Sequence, residues 1–129
     1  MTAFVTVFTV ALLGVAGLVF DGGLLLAAHH RAFNEAEAAA RAGAQAVDVD
    51  ALRAGAGVRL DPFEAERRAL DYLDSIDRDG TVEVSGDTVR VRLAFRQHLT
   101  ILRVFGLGAR TVDGEGVARA VSGVTEGET

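Results

Sequence analysis

The chain has 129 residues, no cysteine, no tryptophan and a formal net charge of −5, and half of its residues are hydrophobic. This length is typical of one small domain. The lack of cysteine excludes a disulfide framework, a cysteine-ligated zinc site and a thiol nucleophile. The acidic balance argues against nucleic acid as a partner, because the binding of phosphates requires a basic surface.

The charge is distributed unevenly, because the first 20 residues contain no ionisable side chain. Residues 3–20 read AFVTVFTVALLGVAGLVF, and a helix needs about 20 apolar residues to cross a bilayer. A cleaved signal peptide is disfavoured, because the apolar run is long and no basic side chain precedes it. A buried core helix is disfavoured, because the rest of the chain is too small to surround it. We therefore predict a hydrophobic transmembrane or assembly helix over residues 1–28.

An alanine-rich segment at residues 29–54 is predicted to continue the same helix, because alanine is the strongest helix former. No proline occurs before Pro62, so we expect the helix to run to about Leu52, with a bend only at Gly22-Gly23. Small side chains recur at helical spacing, at Ala32, Ala36, Ala39, Ala40, Gly43 and Ala46, followed by Val47. This stripe has two interpretations, packing against the chain's own domain or close packing of helices between subunits.

Residues 55–121 are predicted to form a small α/β head domain. Asp61 is suited to cap a second helix that has Pro62 at its first position and extends to about Asp77. The apolar face of this helix is predicted to consist of Phe63, Leu70, Leu73 and Ile76.

A hairpin is predicted after this helix, because the apolar period changes from helical to alternating. Strands at 81–85 and 88–97 flank the dipeptide Gly86-Asp87, which suits a two-residue loop. Counting outward from the loop places three pairs opposite each other: Val84 with Val89, Val82 with Val91, and Glu83 with Arg90.

A third strand is predicted over 110–121, with a bulge at Gly114 and Gly116, and residues 122–129 are predicted to be a flexible tail. The predicted fold class is α+β, with a long N-terminal transmembrane helix and a second helix packed on a small antiparallel sheet of about three strands. This plan is pilin-like.

The sequence resembles the TadE/TadG-like proteins of tight-adherence (Flp-type) type IV pilus systems. The resemblance is carried by residues 2–23 (TAFVTVFTVALLGVAGLVFDGG), residues 31–48 (RAFNEAEAAARAGAQAVD) and the strand ending in GEGVARAV at 114–121. It implies a single-pass subunit of the cell membrane with an extracytoplasmic C-terminal domain. It also implies a minor-pilin or pilus-assembly role beside a main pilin, a prepilin peptidase and a secretion ATPase, with a cell-surface filament and adhesion as the setting.

The sequence departs from the prepilin pattern at its acidic positions. Prepilins carry glutamate at the fifth mature position, whereas this sequence has Val5, and its first glutamate is Glu35. Asp21 is the first acidic residue. We expect it to lie at the membrane boundary or to pair with the N-terminal amine of a neighbouring subunit.

Two groups of residues are predicted to make contacts rather than perform chemistry. The helix-packing and assembly group is Gly14, Gly17, Asp21, Gly22, Gly23, Ala36, Ala40, Gly43 and Ala46. The contact patch is Ile101, Leu102, Val104, Phe105 and Leu107. This patch is either buried under the sheet or in contact with a partner subunit or the bilayer surface.

No catalytic, cofactor-binding or metal-ligating residues are predicted. His29 and His30 are adjacent on a helix and point in different directions, and His98 stands alone. The segment Asp77-Arg-Asp79-Gly80 resembles part of a calcium loop, but the closing glutamate would fall at Gly86.

We therefore expect a structural subunit, not an enzyme, whose partners are the membrane and other pilus subunits, including further copies of itself. No small-molecule substrate and no nucleic acid are expected. The alternative is a non-polymerising, single-span anchor whose domain binds components of a secretion or pilus machine.

Overall fold

The protein consists of one long helix, two shorter helices and a three-stranded sheet, which a computed structural model describes for residues 1–121. The predicted tail at 122–129 lies outside the described residues. The helices are α1 (Thr2–Ala44), α2 (Val49–Arg53) and α3 (Pro62–Ser75). The strands are β1 (Gly80–Ser85), β2 (Thr88–His98) and β3 (Ala109–Arg119), and they form an antiparallel sheet in the order β1-β2-β3. The predicted α+β class is confirmed.

Helix α1 is continuous through Gly22-Gly23 but ends at Ala44, before the expected end near Leu52. The break has a local cause at Asp48, whose side chain accepts hydrogen bonds from the backbone amides of Asp50 and Ala51 and so starts α2. Val47 meanwhile forms an isolated antiparallel bridge with Leu60. The chain therefore turns back at this point instead of extending the helix.

The hairpin has the predicted register, with Val84 opposite Val89 and Glu83 opposite Arg90. Gly86 has a φ of 62°, whereas Asp87 has a negative φ. This combination belongs to a type II′ turn, in which the first central residue has positive φ. Local sequence was sufficient here because the turn and the alternation of apolar side chains specify the same pairing.

The core forms where the small-residue face of α1 lies on the sheet. Buried residues on this face are Ala28, Ala32, Ala36, Ala39, Ala40 and Gly43. Facing them on β3 are Gly114 and Gly116: a Cβ at Gly114 would come within 2.5 Å of the Ala32 backbone, and one at Gly116 would overlap the backbone of Ala36 and Glu37. The helix can therefore rest directly on the strand.

The predicted bulge at these two glycines is wrong. β3 pairs with β2 residue by residue, with Gly114 opposite Leu93 and Gly116 opposite Val91. The glycines serve the close approach of α1, which the sequence pattern of β3 alone does not indicate.

Helix α3 packs on α1 through small residues, and its predicted apolar face is corrected. The Asp61 cap is confirmed, because its side chain accepts from the amides of Phe63 and Glu64. The buried residues are Ala65, Ala69 and Leu73, whereas Phe63 is 87% exposed. Leu70 is also exposed, and Ile76 is half-buried. The small residues are buried because the backbones of α1 and α3 lie very close together. A Cβ at Gly43 would come within 2.8 Å of the Ala65 carbonyl oxygen.

The ion pairs of Glu64 on α3 are expected to make part of the protein's stability sensitive to acidic pH. Hydrogen bonds from Arg67 and Arg68 lower the pKa of Glu64 to about 2 from an ordinary value of 4.5. Because the folded pKa is the lower one, this stabilisation is fully present above about pH 4.5 and is lost as the pH falls towards 2. We expect Glu64→Gln to reduce the fall in Tm across this interval, measured by circular dichroism.

The control for this measurement is Glu66→Gln. Glu66 is exposed on the same helix and has no ion pair within residues 1–121. The expected difference is modest because the Glu64 pairs are partly exposed to solvent. Parallel pH profiles for the two variants would contradict the assignment.

A half-buried ion pair connects α1 to the turn between α3 and β1. Arg78 donates from Nε to Glu35 Oε2 at 2.7 Å, and its guanidinium carbon lies 4.1 Å from the centre of the Phe95 ring. The side chains of Arg78 and Glu35 are only 24% and 19% exposed. One cation therefore connects α1 with a residue of the sheet.

We expect Arg78→Gln to lower the free energy of unfolding by about 1–2 kcal/mol, because the ion pair and the cation–π contact are both lost. Urea unfolding can be followed by the fluorescence of Tyr72, the one tyrosine in a chain without tryptophan. Arg53→Gln, which removes an exposed ion pair with Asp50, should change the stability by less than about 0.5 kcal/mol. Equal effects of the two substitutions would contradict this role for Arg78.

Candidate functional site

The N-terminal part of α1 projects away from the rest of the described chain. Residues 2–16 are all exposed except Gly14, which is half-buried, and they include large apolar side chains such as Phe4, Phe8 and Leu13. By length and composition, α1 is able to cross a membrane. The run from Thr2 to Phe20 would extend about 28 Å as a helix, close to the thickness of a bilayer core of about 30 Å.

Contact with the head begins one turn before the end of this run. Gly17 is the first buried residue of α1, and a Cβ there would lie 2.6 Å from Cγ2 of Ile101. A larger residue at this position would therefore force the side chain of Ile101 to shift. Its partner belongs to the segment 99–108, hereafter the apolar loop, which contains a short 3₁₀ helix (Leu102–Phe105).

Asp21 joins the same loop to α1 through hydrogen bonds. The residue is fully buried, and its carboxylate accepts from the backbone amides of Thr100 at 3.1 Å, Ile101 at 2.9 Å and Leu102 at 2.6 Å. These amides precede or begin the 3₁₀ helix, where no carbonyl of the same helix is available to accept from them. A side chain about 80 residues away in sequence thus caps the loop.

This arrangement bears on the expected roles of Asp21. Both carboxylate oxygens are engaged within the chain, Oδ1 by Thr100 and Oδ2 by Ile101 and Leu102. Pairing with the N-terminal amine of a neighbouring subunit would have to compete with these three bonds. The other expectation, a position at the membrane boundary, stays a prediction; Asp21 directly follows the uncharged run of α1.

The apolar loop is not buried under the sheet. Leu99 is buried, and Ile101 and Leu102 are half-buried. Val104, in contrast, is 83% exposed and Phe105 is 60% exposed. Leu107 is exposed as well. Of the two predicted alternatives for the contact patch, burial under the sheet is therefore excluded for its three outer residues.

The predicted assembly residues divide into two groups. Ala36, Ala40, Gly43 and Ala46 are buried in the chain's own core, as are Gly17 and Asp21 beside the loop. The stripe therefore packs against its own domain, which was the first of its two interpretations. Gly22 and Gly23 are exposed, and a Cβ at these residues or at Gly14 would meet nothing within 4 Å. Only these three remain free to contact another molecule.

The residues considered for metal binding are not brought together. His29, His30 and His98 are exposed, and residues 1–121 contain no group of three or more His, Asp or Glu side chains that could hold a metal ion. In the calcium-like segment, Asp77 adopts a φ of 55° and Arg78 turns to Glu35. This segment therefore serves as a turn that orients Arg78.

The part of the chain that matches a known family is nearly the same as α1. Residues 1–46 match the family model described as Flp pilus-assembly TadE/G-like. The resemblance seen in the sequence is thus confirmed for this segment, which comprises Met1, α1 and the two residues after α1. TadE/G-like proteins are of a structural, pilus-assembly type rather than enzymes. The comparisons with curated proteins and with solved structures give no match.

Sequence reasoning identified Asp21 and the apolar loop separately but did not connect them. The sequence shows each partner of this contact separately. Asp21 is an acidic residue directly after an uncharged run, and the loop is an isolated apolar segment late in the chain. Nothing in either pattern indicates the other, because contacts between distant segments are set by tertiary packing.

Proposed function

We propose that the protein is a membrane-inserted structural subunit of a Flp-type pilus system, acting as a minor pilin or pilus-assembly protein. Its α/β head is displayed outside the cytoplasm, and its apolar helix passes from the bilayer into contact with other pilus subunits. The observation that carries the proposal is the uncovered apolar half of α1, fixed to a head domain by Gly17 and Asp21. The family match over residues 1–46 supports the pilus setting.

The driving force for assembly in this proposal is hydrophobic. A helix with this many exposed apolar side chains is stable in lipid or when surrounded by other helices, but not in water. Leaving the membrane is therefore tolerable only if the helix becomes buried in a bundle. A second helix can approach most closely at Gly14, Gly22 and Gly23, where a Cβ would meet nothing within 4 Å.

One observation favours the second candidate, a non-polymerising membrane anchor whose head binds other components of the machine. The alanine stripe, which would otherwise supply a long seam between subunits, is occupied by the chain's own sheet. In this alternative the apolar half of α1 stays in lipid, and the head makes the contacts with the other components.

The experiment that tests the proposal is fractionation combined with microscopy of sheared surface material. We expect the protein in the membrane fraction and in filaments seen by negative stain. Val10→Arg should remove it from both, because a cation at the centre of a membrane helix costs about 2.5–3.5 kcal/mol. Leu52→Arg, a change at an exposed apolar residue of α2, is the control and should leave both unchanged.

Each outcome decides between the candidates. Protein that stays in the membrane and never enters sheared filaments supports the anchor. Protein recovered in the soluble fraction without detergent contradicts both.

A further inference from the structure

The position of the apolar loop relative to a bilayer follows from its two contacts with α1. Ile101 lies against Gly17, and the amides of Thr100, Ile101 and Leu102 bind Asp21. These contacts hold the loop beside the last turn of the uncharged run. If the run from Thr2 to Phe20 spans the hydrocarbon core, the loop lies at the level where that core ends.

The outward side of the loop has the composition of a segment that enters a membrane interface. Val104, Phe105 and Leu107 are exposed, whereas Ile101 and Leu102 of the same turn are half-buried where the loop meets Gly17 and Asp21 of α1. Arg103 and Arg110, on either side of them in sequence, are exposed and form no ion pair within residues 1–121. Apolar side chains flanked by cations suit the boundary between acyl chains and anionic headgroups.

The exposed side of α1 at the same level is also apolar. Leu18, Val19 and Phe20 are more than half exposed and lie within the turn that receives the loop. At the end of the membrane span, both the helix and the loop therefore expose large apolar side chains, which favours lipid as the occupant of both.

We propose that the apolar loop is a second membrane contact, in which Val104, Phe105 and Leu107 enter the bilayer interface on the head-domain side while Arg103 and Arg110 face anionic headgroups. This inference rests on the proposed membrane insertion of α1. Interfacial segments bury their apolar face about 5–10 Å into the boundary between headgroups and acyl chains. With a helix and a loop both in the membrane, the head domain is held in one orientation relative to the surface.

The test uses the full chain in vesicles of phosphatidylcholine with a minority of phosphatidylglycerol. The chain contains no cysteine, so Phe105→Cys carries one environment-sensitive fluorophore at the loop. Quenching by lipids with a nitroxide near the headgroup reports contact with the interface. Ser85→Cys, at the exposed tip of the hairpin and the opposite end of β2, is the negative control. Val10→Cys, at the middle of the apolar run, reports insertion of α1 through quenching by lipids that carry the nitroxide deep in the acyl chain.

We expect a blue-shifted emission and loss of most of the fluorescence at 105, with neither change at 85. Val104→Cys, one residue away and also exposed, should behave like Phe105→Cys, which would exclude a local effect of one substitution. Quenching at 10 without quenching at 105 overturns the loop proposal and leaves membrane insertion intact.

Two further outcomes also overturn the proposal. If label 105 is shielded only as the protein density rises, and lipid never quenches it, the occupant is a second copy of the chain. If label 10 is not quenched either, the proposed function itself fails.

Discussion

Replacing Asp21 with alanine is expected to detach the apolar loop from α1 while α1 stays helical. The substitution removes the acceptor of three backbone amides and leaves them without a partner in a partly buried site. Fast hydrogen exchange should appear at Thr100, Ile101 and Leu102, and the Tm should fall by on the order of 10 °C. Exchange measured by mass spectrometry on the full chain in detergent reads out the first effect, and circular dichroism the second.

Two further variants sharpen this result. Asp21→Asn keeps an oxygen acceptor of nearly the same shape, so we expect an intermediate effect. Asp74→Ala removes an exposed carboxylate from α3 and should leave exchange in the loop unchanged. Retained protection of Thr100 to Leu102 in Asp21→Ala would show that the carboxylate does not hold the loop.

Replacing Gly116 with alanine is expected to separate α1 from the sheet. The added Cβ would overlap the backbone of Ala36 and Glu37, and a backbone cannot rotate away as a side chain can. Overpacking of this kind costs about 3 kcal/mol. The loss in unfolding free energy can be measured by urea titration with Tyr72 fluorescence as the signal.

Gly22→Ala is the matched control for this prediction. It makes the same chemical change in a helix where nothing lies within 4 Å of the new Cβ. Since alanine favours helix, this variant should be as stable as the original or up to about 1 kcal/mol more stable. Equal destabilisation by the two variants would mean that the effect comes from glycine propensity and not from the contact.

Both predictions concern the division of α1 into two parts, an uncovered apolar part and a part that packs against the head domain. Up to Ala16 its surface is mostly apolar and uncovered apart from the half-buried Gly14, and from Ala28 onward its small residues form the core of the head. Between them, Gly17 and Asp21 hold the apolar loop. Tilting of the membrane half would therefore be transmitted to the head without a flexible linker.

Much of the fold was predictable where the signals are local. The hairpin register follows from Gly86-Asp87 and the alternation of valines, and the start of α3 follows from Asp61-Pro62. The end of α1 was not predictable from the absence of proline, because Asp48 caps a new helix and Val47 pairs with Leu60.

The errors share one physical reason, which is the close approach of backbones. Phe63 is the largest apolar side chain of α3, yet it is exposed because α3 meets α1 through Ala65 and Ala69. Gly114 and Gly116 have the pattern of a bulge, but they lie in a regularly paired strand and allow the backbone of α1 to pack closely against it. A glycine in a strand is compatible with either a bulge or the close approach of another backbone. Only the position of the neighbouring helix distinguishes the two.

The candidate site was predictable as a set of residues but not as an arrangement. Asp21 and the contact patch were identified from composition, whereas their hydrogen bonds join segments about 80 positions apart. Such a contact has no periodicity or spacing by which a single sequence reveals it.

The division of α1 can be tested most directly by spin-label scanning of its length in lipid vesicles, with the accessibility of each position to oxygen and to a water-soluble relaxation agent as the measurement. We expect positions up to Phe20 to be open to oxygen and closed to the aqueous agent. Beyond Asp21, aqueous accessibility should follow the helical period, with minima at 28, 32, 36 and 40, where α1 faces its own sheet. Uniform aqueous accessibility beyond Asp21, or aqueous accessibility before Phe20, would contradict the account.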